Sequence, residues 1–68
     1  MSNEISIILP TLNEGKNLEK LIPEIFEMFI NKNIESNEIL VMDDGSTDGT
    51  EEICRSLNYQ YGNIRFIR

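Results

Sequence analysis

Asp43 and Asp44 stand side by side after four apolar residues, Ile39 to Met42, and are followed at once by Gly45, Ser46, Thr47, Asp48 and Gly49. Adjacent carboxylates can accept hydrogen bonds, ligate a cation or accept a phosphoryl group, and their surroundings decide which. The apolar run predicts a short buried strand. The residues behind it predict a tight turn, because glycine accepts positive φ and short polar side chains bond nearby amides. Carboxylates at the carboxyl end of a buried parallel strand lie where open α/β sheets bind ligands. This edge is the candidate functional edge.

The elements that must position the pair can be read along the chain. Residues 4–9 are rich in β-branched types and stop at Pro10, as a buried strand ended by proline does. Pro10, Thr11, Leu12, Asn13, Glu14 and Gly15 form a loop, with Asn13 or Glu14 opening a helix. Leu18, Leu21, Ile22, Ile25, Phe26, Phe29 and Ile30 then recur in steps of three and four, one wide apolar stripe opposed by Glu19, Lys20, Glu24, Glu27 and Lys32. Pro23 interrupts that stripe, so the helix bends there or its regular part begins near Ile22. Residues 31–37 read as a polar connection and 38–42 as the central strand. Asp48 with Glu51 predicts an N-cap and capping box for a helix reaching about Leu57, its buried face made by Ile53, Cys54 and Leu57. Residues 59–63 read as a turn and 64–67 as the start of a third strand.

Alternation of this kind predicts an α/β fold, a three-layer βαβαβ unit with parallel strands and crossover helices. With 68 residues there is room for one small domain, and a chain of this size buries only about 60% of the surface its unfolded form exposes. A three-stranded unit leaves a sheet edge unpaired and a face incompletely covered. The expectation is therefore a fragment spanning 1–68 that associates with copies of itself. A net charge of −6 argues against nucleic-acid partners, which require clustered Lys and Arg. The lone Cys54 excludes an internal disulfide, and histidine is absent. Cys54 reads as inert packing. No secretory pattern and no apolar run of about 20 residues is present, and a reducing cytoplasm is the expected location.

Three chemistries fit the Asp-rich turn incompletely. A calcium loop starting at Asp44 would have Ser46, Asp48 and Gly49 in place, but Arg55 falls where a bidentate Glu is required and Glu51 where an aliphatic residue belongs. A dinucleotide fold would need a Gly-rich turn after the first strand, where this chain has Pro-Thr-Leu-Asn-Glu. A phospho-acceptor receiver module would carry its paired Asp on the first strand, whereas a full strand and helix precede this pair.

Two segments together suggest a fourth chemistry. Ile5-Ser-Ile-Ile-Leu-Pro-Thr-Leu-Asn-Glu14 and Glu38-Ile-Leu-Val-Met-Asp-Asp-Gly-Ser-Thr-Asp-Gly-Thr50 resemble, in this order and spacing, the amino terminus of family 2 glycosyltransferases. Among these inverting enzymes of GT-A fold the chain looks most like the dolichol- or polyprenyl-phosphate sugar transferases. The resemblance covers nearly the whole chain and departs at Leu12, where an aromatic residue is common. It implies the nucleotide-binding half of a Rossmann-like fold and a nucleotide-sugar donor, UDP- or GDP-linked. It also implies roles: backbone around Pro10, Thr11 and Leu12 against the base, Glu14 on ribose or base edge, and Asp44 with Asp43 accepting from the base. Asp48 would cap the next helix, and Asn13 would either cap or serve the site. The family's Asp-x-Asp motif, which positions Mg²⁺ or Mn²⁺ for the complete enzyme, does not occur here, and catalytic residues are expected outside this chain. Any membrane contact would likewise come from outside it. The rival readings are a receiver-like signalling module and a non-catalytic self-associating fragment.

Overall fold

The computed structural model describes residues 4–68. Its elements are β1 (Glu4–Thr11), α1 (Gly15–Asn31), β2 (Ser36–Asp43), α2 (Thr50–Tyr61) and β3 (Ile64–Ile67). The three strands form one parallel sheet in the order β1-β2-β3. The predicted α/β unit and its alternation are therefore what the chain forms. Its layering differs from the expected three: Leu18, Ile22 and Phe29 of α1 join Cys54 and Leu57 of α2 in one buried cluster with Ile39, Val41 and Ile64 of the sheet. Both helices thus lie on one face. Ser6, Ile8 and Pro10 of β1, with Met42 of β2, point the other way and are exposed.

Strand periodicity explains which side chains reach the core. Ile39, Val41 and Asp43 are buried on β2, while Ile7 and Leu9 of β1 pack against the same cluster. β1 runs two residues further than predicted, through Pro10 to Thr11. An edge strand tolerates proline because one side of its backbone has no partner to supply. β2 likewise extends to Asp43, pairing Thr11 with Asp43 in register.

α1 continues through Pro23 as one helix from Gly15, so its regular part does not begin late, near Ile22. Its buried stripe is narrower than predicted. Leu18, Ile22 and Phe29 are buried, whereas Leu21 and Ile30 are exposed, Ile30 at 75%. Nine residues apart, Leu21 and Ile30 lie on opposite borders of the buried stripe, where an apolar side chain is left in solvent. α2 is longer than predicted and ends at Tyr61, taking in residues 59–61 of the expected turn. The extra turn packs on its neighbour: the Tyr61 ring stacks on Phe26 with centroids 5.0 Å apart, and Phe26 meets Phe29 edge-on at 5.5 Å. Gly62 then stops the helix at φ 79°, its N–H donating to the Asn58 carbonyl at 2.8 Å. The Asn58 side chain accepts from the Ile64 N–H at 2.9 Å and so starts β3.

Candidate functional site

The carboxyl ends of β1 and β2 finish together, since Thr11 is registered against Asp43 and the Asp44 N–H donates to the Thr11 carbonyl at 3.0 Å. Beyond that point the β1–α1 loop (residues 12–14) and the β2–α2 loop (residues 44–49) leave side by side. The two sequence motifs thus form one edge of the molecule.

Asp43 and Asp44 have opposite surroundings. Asp43 is buried, and its carboxylate is saturated. Oδ1 accepts from the Thr11 hydroxyl at 2.9 Å and from the Ser46 hydroxyl; Oδ2 accepts from the Gly45 and Ser46 N–H groups at 3.0 and 2.7 Å. Four donors fill about four lone-pair sites, so no acceptor capacity remains for a ligand. Burial by itself would raise its pKa, but the bonds from Ser46, Thr11 and Gly45 outweigh it and hold the carboxyl at about 2. Arg68 adds its guanidinium from the end of β3, with Nε 3.6 Å from Oδ2. Asp44 is exposed, and among the described residues its carboxylate has no partner. β-Strand alternation accounts for the split: Asp43 follows Ile39 and Val41 inward, and Asp44 turns out.

The other expected site residues line the neighbouring loop. Pro10, Leu12 and Glu14 are exposed, Leu12 at 53%. Thr11 is buried with its hydroxyl committed to Asp43 and its carbonyl to the Asp44 N–H. Glu14 stands at the N-cap of α1 and accepts from the Asn17 side-chain amide at 2.8 Å. Pro10, Thr11, Leu12, Glu14, Asp43 and Asp44 are therefore brought to one rim, but they present different atoms. Asp44 and Glu14 offer carboxylates outward, Pro10 and Leu12 offer apolar surface, and Thr11 and Asp43 face inward.

Asp48 works differently from the predicted capping box. The residue at the helix start is Gly49, left-handed at φ 85°, and Glu51 makes no return bond to it. Asp48 instead accepts from the Thr50 N–H at 3.1 Å and from the Thr50 hydroxyl through Oδ1, and from the Gly15 N–H at 3.2 Å through Oδ2. One carboxylate thereby serves the first residue of both helices. The Thr50 hydroxyl bond lowers its pKa most; burial opposes, and the Gly15 and Thr50 N–H groups add to the lowering. Asn13, expected as a cap or site residue, reaches across the gap: its N–H donates to the Ser46 hydroxyl at 2.8 Å, and its Oδ1 accepts from the Thr47 N–H at 2.9 Å. By sequence Ser46 reads as turn chemistry or as a calcium-loop position. Its role as a link between loops depends on contacts 33 residues apart in sequence, which no local pattern carries.

The oxygens that a calcium loop would need are turned elsewhere, Ser46 onto Asp43 and Asp48 onto Thr50 and Gly15. Among the described residues, no group of three or more His, Cys, Asp or Glu side chains is placed to hold a metal ion. The described residues therefore offer no set of ligands that fits Mg²⁺ or Mn²⁺. No described helix is long and apolar enough to cross a membrane. Cys54 is buried, and burial first, then the charges of Asp43 and Glu51, push its thiol up to about 11.

The sequence model described as glycosyl transferase family 2 matches residues 6–68. The chain is 35% identical over 63 residues to glycosyltransferase AglE of Haloferax volcanii, covering 93% of this chain and 20% of that protein. It is 34% identical over 67 residues to glycosyltransferase GlyG of Streptococcus pneumoniae, covering 98% and 21%. It is 33% identical over 67 residues to the dolichol-phosphate mannosyltransferase of Saccharomyces cerevisiae, covering 98% and 25%. The chain thus spans between a fifth and a quarter of the length of these relatives. No solved structure matches it.

Proposed function

This chain belongs to glycosyl transferase family 2, and from that premise we propose that residues 1–68 are the nucleoside-recognition portion of a longer enzyme that transfers a sugar from a UDP- or GDP-linked donor. The observation that carries the reading is the outward, unpartnered carboxylate of Asp44 beside the exposed Pro10–Glu14 rim, at the carboxyl end of the middle strand. A carboxylate only accepts, and uracil N3–H or guanine N1–H with N2–H₂ are donors that a UDP- or GDP-linked nucleotide presents to it. Asp44 takes the base edge. The backbone and apolar surface of Pro10, Thr11 and Leu12 lie under the ring, and Glu14 takes a ribose hydroxyl or the base edge. Asp43 acts from behind, holding the turn that presents Asp44. The acceptor is a lipid phosphate or a polysaccharide, the former suggested by the yeast relative named for dolichol phosphate. The enzyme works at the cytoplasmic side.

Divalent metal use is a family trait, but the described residues supply no metal cluster, so no catalytic step is assigned to them. The chain binds nucleotide without turnover. Titration with UDP and GDP, with and without Mn²⁺, tests this: binding should occur in the wild-type chain and fall by at least about tenfold in Asp44→Ala. A chain that instead gains a phosphoryl mass from acetyl phosphate is a receiver module. A second reading, a non-catalytic self-associating unit, is favoured by the helix-free sheet face, where Ile8 is 61% and Met42 41% exposed. Light scattering that shows defined oligomers, together with no nucleotide binding, would select it.

A further inference from the structure

The two loops of the candidate site are joined by more than the strands that lead into them. Sheet pairing ends at Thr11 and Asp43, followed by the single bond from the Asp44 N–H to the Thr11 carbonyl. Past that point a reciprocal pair takes over. The Asn13 N–H donates to the Ser46 hydroxyl at 2.8 Å, and the Thr47 N–H donates to Asn13 Oδ1 at 2.9 Å. The Ser46 hydroxyl accepts one bond and gives its own hydrogen to Asp43 Oδ1, so one chain of bonds runs from the first loop through Ser46 into the buried carboxylate. The Gly15 N–H to Asp48 bond closes the far end at 3.2 Å.

The backbone of Asn13 is shaped for this. It adopts φ +53°, a conformation that asparagine tolerates better than most residues. Both its N–H and its Oδ1 are used across the gap rather than on its own helix, and α1 has no side-chain cap bond. A residue that merely started α1 would aim its side chain at the helix amides.

Resting on the reading of this rim as a nucleoside site, we propose that Asn13 and Ser46 are positioning residues that lock the two loops into one body. The lock fixes the gap between Leu12 and Glu14 on one side and Asp44 on the other. Neither residue touches the nucleotide. A ligand that bridges two independently moving loops must order both as it binds, and loops joined beforehand reduce that cost. The lock also gives a physical reason for the two motifs to occur together: the Asn of the first needs the Ser-Thr of the second.

The test uses paired substitutions in the whole chain. Asn13→Gly permits the positive φ and deletes the side chain with its acceptor, and Asn13→Asp keeps an acceptor oxygen, so that the pair separates the bond from the backbone. Ser46→Ala deletes the hydroxyl, and Ser46→Thr keeps it. Amide hydrogen exchange should be faster at Thr47 in Asn13→Gly and at Asn13 in Ser46→Ala, each by roughly three- to tenfold, the value of one ordinary hydrogen bond. The core amides of Ile39 and Val41 should not change. Affinity for UDP or GDP should fall by about tenfold in both deletions and return in Asn13→Asp and Ser46→Thr. Unchanged exchange in the opposite loop, or conservative variants that bind no better than the deletions, overturns the proposal. If Ser46→Ala loses protection throughout the core, Asn13→Gly decides, because that side chain is exposed. A wild-type chain that binds neither nucleotide overturns the nucleoside reading alone, and cross-loop exchange then still upholds or overturns the lock.

Discussion

Replacing Asp44 by alanine should weaken nucleotide binding by about one to two orders of magnitude while leaving the fold intact, and the loss and the intact fold follow from different observations. The Asp44 carboxylate is exposed and has no partner within the described chain, so its removal breaks no internal bond. Surface substitutions of that kind change stability by no more than about 0.5 kcal/mol, and a domain this small should shift in Tm by less than about 4 °C. A hydrogen bond from a base N–H to a charged acceptor contributes roughly 1.5–3 kcal/mol, which converts to about 12- to 150-fold in Kd. Guanine presents two donors on that edge and uracil one, so a GDP-specific site falls toward the upper end. Isothermal titration of wild type, Asp44→Ala and Asp44→Asn with UDP and GDP reads the loss, and thermal melts of the same samples read the control. Asparagine keeps one acceptor oxygen but adds an NH₂ donor, and should recover part of the loss. Wild-type affinity in Asp44→Ala, with an unchanged melt, would refute the assignment of the base edge to this carboxylate.

Further expectations concern the fold that carries the site. Asp43 has a folded pKa of about 2 against an ordinary 3.8, so the unfolded chain binds more protons between those values. Its contribution is complete above about pH 4 and is lost as the pH falls toward 2; urea midpoints followed over that window should drop, and a slope unchanged in Asp43→Asn would contradict the cause given. Phe29→Ala empties a site only 2% exposed at the meeting of α1 and the sheet and should cost about 3–5 kcal/mol. A domain of this size has a total stability of only about 3–10 kcal/mol, so this one change removes about a third or more of it, and urea unfolding followed by circular dichroism should show a sharply lowered midpoint. Gly62→Ala should cost about 1–2 kcal/mol purely through backbone strain at φ 79°, since an added Cβ would meet nothing within 4 Å. An unchanged denaturation midpoint would remove that residue from the list of helix stops.

Much of this could be read along the chain. The three strands and two helices follow from the β-branched run before Pro10, the period of α1, and the turn residues after Asp44, all local patterns. Helix ends were less legible. α2 reaches Tyr61 because that ring stacks on Phe26, a contact between residues 35 apart. Pro23 sits inside α1 without ending it, because burial of Ile22 and Phe29 on either side holds the helix across the missing bond. The Asp48–Glu51 spacing suggested a capping box, but the Gly15 and Thr50 amides drew Asp48 to a different arrangement.

By itself, the order of residues determined the fold class, the family and the candidate edge for a site, because periodicity, turn chemistry and paired motifs are properties of neighbours in sequence. Only the tertiary structure separated Asp43 from Asp44. Two identical side chains in adjacent positions look alike on paper, and the alternation of a strand against a core buries one among four donors and turns the other to solvent. The pairing of Asn13 with Ser46 and Thr47 was equally hidden, since it exists only where parallel register brings two distant loops within hydrogen-bond reach.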